Sequence, residues 1–428
     1  MRDFLRFTAF IAVGVLLVFF FGVLGWRLRA AVAKCPPSCR EASLEGRNLA
    51  GALLDGADLT LANLTHADLG ASSLRSANLY FAKLTAANLA GADLRRARMR
   101  GALLHDADLT GADLREADLR GARLLRTILV QADLRAADLA SAALELVDLR
   151  GALVDEHTAL PEKGLLAWRL QNQGGRAAQL AGVDLSFVDL RGVDLSHADL
   201  QGASLRGADL RRANMSGAEL AYADLREAFL NEDTAIEPKW RVVWQIVNDN
   251  LVGRGLSGAD LSRTFLQGAY LRGADLSRAD LTGADLRSAD LSGANLAYAV
   301  LQGANLENSF LKEANLEGAD LRNARLHGAN LNLARLHGTR LDASTELSDK
   351  WQLVWRIVNE GAEGENLEGA HLSFADLSYA NLAGANLRGA DLTGANLESA
   401  NLAGADLRGA DLTAAHLDSA NLKGAKME

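Results

Sequence analysis

A leucine at every fifth position constrains this chain more than any other feature. From Leu44 onward the period holds in four runs, with centres from Leu44 to Val154, Leu180 to Leu230, Leu256 to Leu341 and Leu367 to Met427. Of the 65 centres 61 are Leu, and the exceptions are Met99, Met215, Met427 and Val154. A period of five fits neither the 3.6 of a helix nor the 2.0 of a continuous strand, so each unit must contain its own corner. Ala two residues before most centres shares the leucine's face, as in GADLREADLRGARL from Gly111 to Leu124. The Asp, Asn or Arg residues flanking the centre then point the other way, toward water. Gly is frequent two residues after the centre, where it suits the turn.

The chain is 49% hydrophobic but only 5% aromatic, with 40 glycines spread along it. Leu and Ala carry the apolar share, which suits a stacked repeat with like layers better than a core of interlocking shapes.

With A(D/N)LXX units over nearly all of residues 40 to 428, the sequence resembles the pentapeptide-repeat proteins. The resemblance implies an all-β fold: a right-handed quadrilateral β-helix with four units per coil, its narrow interior filled by the central Leu and the preceding Ala. The 65 units would make about 16 coils, a rod on the order of 75 to 80 Å long at roughly 4.8 Å between strands.

Three insertions interrupt the period, between centres 154 and 180, 230 and 256, and 341 and 367, with the same spacing each time. Equal length implies one repeated element. Thr158, Thr234 and Thr345 fall at matched places, as do Lys163, Lys239 and Lys350, then Trp168, Trp244 and Trp355, then Asn172, Asn248 and Asn359. Within KWRVVWQIVN, Trp240, Val243, Trp244 and Val247 form one apolar stripe of a helix; Trp351 and Trp355 recur in KWQLVWRIVN. Pro238 suits a helix start and Gly361 a stop. Each short amphipathic helix is expected to pack on the outside of the β-helix, beside outward-facing Phe187, Phe229, Phe265, Tyr270 and Phe374. Pentapeptide-repeat proteins with a KW..VW.IVN insertion and a membrane anchor are similar in layout. The expected organisation is an anchor over 1–34, a Cys-containing linker over 35–41, repeats over 42–156, 178–232, 254–343 and 365–428, and insertions over 157–177, 233–253 and 344–364. Arg47, Arg254 and Glu365 occupy interior slots at the starts of blocks, where a buried charge is costly, and mark where coils open.

Phe7 to Trp26 is a 20-residue stretch without a charge, long enough to span a bilayer as a helix. The reading is a single-pass bacterial membrane anchor; a cleavable signal ending at Ala31-Val32-Ala33 is the alternative, opposed by Arg27 and Arg29 between the apolar run and that site. Arg27, Arg29, Lys34 and Arg40 outnumber Arg2 and Arg6, placing the repeats in the cytoplasm. Cys35 and Cys39, the only cysteines, are too few for a four-ligand zinc site. A turn into the first repeat, a local disulfide, a thiol pair and a shared intermolecular site all fit them.

Residues 41–428 carry 39 basic and 53 acidic side chains, a net charge of −14, which disfavours nonspecific nucleic-acid binding. If residues four units apart stack, Arg75, Arg95, Arg115 and Arg135 form a column, with Asp93, Asp113 and Asp133 in a parallel one about 7 Å away along the same strands. The Asp column then neutralises the Arg column, and a stripe for an anionic partner is the sharper alternative. The eight histidines do not gather, and there is no Walker loop or GxSxG. No cofactor and no catalysis are expected. The expected function is a membrane-tethered scaffold for protein partners; the alternatives are a DNA mimic that binds topoisomerase and a thiol sensor built on Cys35 and Cys39. Repeats run to the final LKGAKME, so the last coil is expected to pair with a second copy end to end.

Overall fold

The computed structural model describes residues 38–249 and 252–428. The expected anchor over Phe7–Trp26 and Cys35 lie outside the described residues. Among the described residues no helix is long and apolar enough to cross a membrane.

The backbone winds so that each residue meets its counterpart four units further on. Parallel bridges join Asn63 to Lys83, Lys83 to Leu103 and Leu103 to Arg123, and equivalent pairs recur on all four walls of a coil. Each centre donates to the next coil, as Leu64 N does to Lys83 O at 2.7 Å; the next coil donates back, as Lys83 N does to Ala62 O at 2.9 Å. The corner closes within its own coil through bonds such as Ala67 N to Leu64 O, 3.0 Å. A unit with a coil on either side therefore spends its ladder and corner N–H groups within the backbone, which lets so short a strand persist. The residue two after the centre takes the left-handed conformation whether or not it is Gly, as at Phe81 (φ 52°) and Gly101 (φ 69°). Inside, Leu59, Leu64, Ala62 and their equivalents are fully buried.

The chain forms two compact units. One holds the described residues up to Gly175 with Phe187–Val193 and Ala208–Arg211; the other holds Arg176–Ser186, Asp194–Gly207 and Arg212–Glu428. Near the start of the described residues, buried Cys39 is disulfide-bonded and donates its N–H to Asp58 O at 2.7 Å.

Three helices occur among the described residues: α1 (Glu162–Gln173), α2 (Pro238–Asn248) and α3 (Asp349–Glu360). Pro238 opens α2, while Gly174 and Gly361 follow α1 and α3 at positive φ. Each helix interrupts the winding without losing register. Leu146 N reaches Phe187 O, Tyr222 N reaches Arg263 O and Leu333 N reaches Phe374 O. The step is the same in all three, so each insertion lengthens a single coil and the ladder resumes beyond it.

The buried faces differ from the expected stripe. They are Gly164, Ala167 and Leu170 in α1, Val243 and Ile246 in α2, and Trp351, Val354 and Ile357 in α3. Ile246 thus takes the place assigned to Val247. Of the aromatic residues expected beside them, Phe187 and Phe265 are half-buried, whereas Phe229, Tyr270 and Phe374 stay 50%, 63% and 44% exposed. The helices lie along the open strand edge of the preceding coil, where the broken ladder leaves backbone groups in need of partners. Trp168 Nε1 donates to Ala152 O at 2.8 Å, Trp244 Nε1 to Ala228 O at 2.7 Å and Trp355 Nε1 to Thr339 O at 2.9 Å. One helical turn on, Asn172, Asn248 and Asn359 donate to the carbonyls of Leu149, Leu225 and Leu336. Their Oδ1 atoms accept from the N–H groups of Gly151, Glu227 and Gly338. The side-chain amide replaces the missing peptide group. In α1, Gln171 does the same, accepting from Leu149 N and donating to Val147 O and, beyond it, Asp189 O.

Candidate interaction surface

With the interior filled by Leu and Ala, what the protein offers a partner lies on its walls. The expected Arg column is present but occupied. Arg95, Arg115 and Arg135 each fold back along their own strand onto Asp93, Asp113 and Asp133, with both Nε and Nη2 donating to the carboxylate at 2.6 to 2.9 Å. Arg75, whose strand carries Ser73, reaches instead to Asp93 in the next coil at 2.6 Å. Hydrogen bonds from these guanidiniums hold all three carboxyls below the usual carboxylate range, against a smaller opposing effect of burial. The same DLR arrangement recurs at Arg120 with Asp118, Arg287 with Asp285 and Arg322 with Asp320. A bidentate pair within one strand consumes the charge that a partner would need.

The tryptophans expected to seat the helices divide by role. Trp168, Trp244 and Trp355 cap strand edges as described above. Trp351 is buried under α3, while Trp240 is half-buried; Lys239 and Lys350 sit over the rings of Trp240 and Trp351 at 5.1 and 4.6 Å. Lys239 also reaches Asp260 at 2.9 Å, and Lys350 donates to Ser373 O at 2.6 Å, tying each helix to the block that follows. The charged interior slots are paired with the same helices: Arg254 with Gln245 at 2.8 Å, Glu365 with Arg356 at 2.6 Å. Arg47 is exposed. Beside α3 a cleft of about 680 Å³ is lined by Asp342, Thr345, Trp355, Arg356 and Glu360 among others. Among the described residues no group of three His, Cys, Asp or Glu could hold a metal ion.

One surface was not singled out from the sequence. Arg98 and Arg100 lie on one wall and Lys83 and Arg123 on the next; all four are exposed, and none makes a salt bridge or side-chain hydrogen bond among the described residues. The corner between these walls carries Phe81, 57% exposed, its ring lying over Gly101 so closely that a Cβ there would stand 2.4 Å from Cε1. The nearby carboxylates are engaged elsewhere: Asp118 by Arg120, Glu116 by Arg96 and Asp106 by Arg126. The signal was legible at these units, which read RMR, KLT and RLL where the neutral ones read DLR.

The pentapeptide-repeats family profile matches the chain in successive stretches between residues 38 and 151, 178 and 232, 256 and 338, and 366 and 428. Among solved structures, the chain is 27% identical to HetL, a pentapeptide repeat protein involved in heterocyst differentiation regulation in the cyanobacterium Nostoc sp. strain PCC 7120. That match covers 76% of this chain and 98% of HetL, with a TM-score of 0.18. A pentapeptide repeat protein from the Arabidopsis thaliana thylakoid lumen is 29% identical over 22% of this chain and 70% of its own, with a TM-score of 0.20. One from the cyanobacterium Cyanothece 51142 is 30% identical over 35% and 91%, with a TM-score of 0.15. No curated protein matches the sequence.

Proposed function

The chain belongs to the pentapeptide-repeat family, whose fold is a right-handed β-helix, and from that premise we propose a non-catalytic scaffold whose walls engage protein partners. The observation that carries this reading is the division of labour within each unit. The centre and the residue two before it are consumed by the core, while the flanking positions vary in charge and bulk from unit to unit. Such a surface can change its pattern freely while the fold stays the same.

The scaffold is tethered to a membrane through the uncharged stretch Phe7–Trp26, with the repeats on the cytoplasmic side. The DNA-mimic alternative is disfavoured, because Arg120, Arg287, Arg322 and their equivalents interrupt the carboxylates that a continuous negative face would need.

The test is photo-crosslinking in cells from single wall positions such as Thr85 or Thr282 in the full chain, followed by fractionation. Discrete crosslinked bands in the membrane fraction are expected. A chain that forms no crosslinks from any wall sinks the scaffold reading, and one recovered wholly in the soluble fraction sinks the tether.

A further inference from the structure

We infer that the corner formed by Lys83, Arg98, Arg100 and Arg123 around Phe81 is a docking site for a short acidic segment of a partner protein. This rests on the scaffold reading and gives it a location and a partner chemistry. The argument starts from charge. In a stretch with 53 acidic and 39 basic side chains, four exposed cations with no salt bridge or side-chain hydrogen bond among the described residues stand together; the one carboxylate between them, Asp118, is held by Arg120 and feels Arg100 only through space. The bridges place them: Asn78 to Arg98 to Asp118 on one wall, Lys83 to Leu103 to Arg123 on the next. Lys83 and Arg123 are two coils apart, about 10 Å at the usual strand spacing.

The borders of the patch decide what fits it. One flank is closed by the Arg96–Glu116 pair (2.9 Å) and the other by the Asp106–Arg126 pair (2.6 Å). The coil before carries Asp58 on the Arg98 wall, and the coils after carry Asp138 on that wall and Glu145 on the next. A long polyanion or a flat anionic bilayer would meet these carboxylates as well as the cations. A segment with a few carboxylates covers the cations alone, and complementarity of that kind gives specificity and a fast on-rate. Phe81 supplies an apolar contact at the centre. Its ring is exposed yet held down over Gly101, so little conformational freedom is lost when a partner covers it.

The test uses the full chain in detergent and a fluorescein-labelled, Asp- and Glu-rich peptide of about a dozen residues, read by anisotropy. The variant Lys83→Glu, Arg98→Glu, Arg100→Glu, Arg123→Glu should weaken binding by about tenfold or more, and Phe81→Ser should weaken it several-fold. A control reversing exposed Arg272, Arg278 and Arg388 should change it by less than about twofold, because those charges lie outside the patch. Circular dichroism melts confirm that each variant is folded. The assignment is overturned if the fourfold variant binds like the parent, or if single-stranded DNA or phosphatidylserine vesicles displace the peptide more effectively than unlabelled peptide does. If crosslinks from other walls persist while the peptide fails to bind, the patch falls and the scaffold stands.

Discussion

The indole Nε1 of Trp355 donates to the carbonyl oxygen of Thr339 at 2.9 Å, and with the Asn359 amide it covers a strand edge that the next coil would otherwise have paired. Thr339 is buried, so water cannot replace the indole. Trp355→Phe keeps most of the ring and removes the donor. It should cost about 1–2 kcal/mol in urea unfolding, the penalty for an orphaned buried carbonyl. Trp355→Phe unfolding at the wild-type midpoint would mean the bond contributes nothing.

The pairs Arg254–Gln245 and Glu365–Arg356 occupy matched places: the arginine stands on the strand and faces a neutral amide in the first, and stands on the helix and faces a carboxylate in the second. Arg356→Gln should therefore destabilise by about 0.5–1 kcal/mol, a value reduced for solvent screening because both side chains are more than a third exposed. Adding Glu365→Arg recreates the other pair and should recover most of the loss. A double variant no more stable than the single one in thermal melts would separate the two sites.

Phe81 lies over Gly101, which sits at φ 69°. Gly101→Ala should cost about 1–2 kcal/mol, partly from the left-handed backbone and partly from displacing the ring. Only the second part disappears in a Phe81→Ala background, so a double-mutant cycle by chemical denaturation should show positive coupling. Strict additivity would mean that the ring is not held down.

Acid should unfold the repeats late. Arginine hydrogen bonds depress the carboxyls of Asp113 and Asp133, and that from Arg408 brings Asp406 to about 2. A group whose folded pKa is lowered stabilises the fold above its unfolded value and loses that contribution as pH falls through the folded one. The melting temperature should stay level down to about pH 5 and drop steeply between about pH 4 and pH 2. A level profile to the acid end would show that these pairs add nothing to stability.

The five-residue period made the coil legible from the sequence, because Leu64, Leu69 and their equivalents do one thing each: they fill the interior. The insertions were legible as helices for the same reason of spacing. Their seating was not. Trp244 and Asn248 stand one helical turn apart, which reads as a face of a helix, and nothing in that spacing says that polar atoms on the indole and the amide matter more than the apolar ring. The Arg column is paired with the Asp column, as expected, for a local reason. Arg95 and Asp93, on either side of one centre in the same strand, are close enough to satisfy each other, so the informative units are those such as Arg98-Met99-Arg100 where that partner is missing.

The register of four units per coil leaves heredity an unusual freedom. Within the run from Leu256 to Leu341, where bridges join Asp260 to Asp280 and Asp280 to Val300, losing or duplicating one unit of five codons restores every leucine to the interior. It also turns each wall that follows by a quarter of a revolution. The same genetic slip that is silent for folding therefore hands a binding face to a different side of the molecule, and only changes of four units at a time leave the recognition pattern where it was.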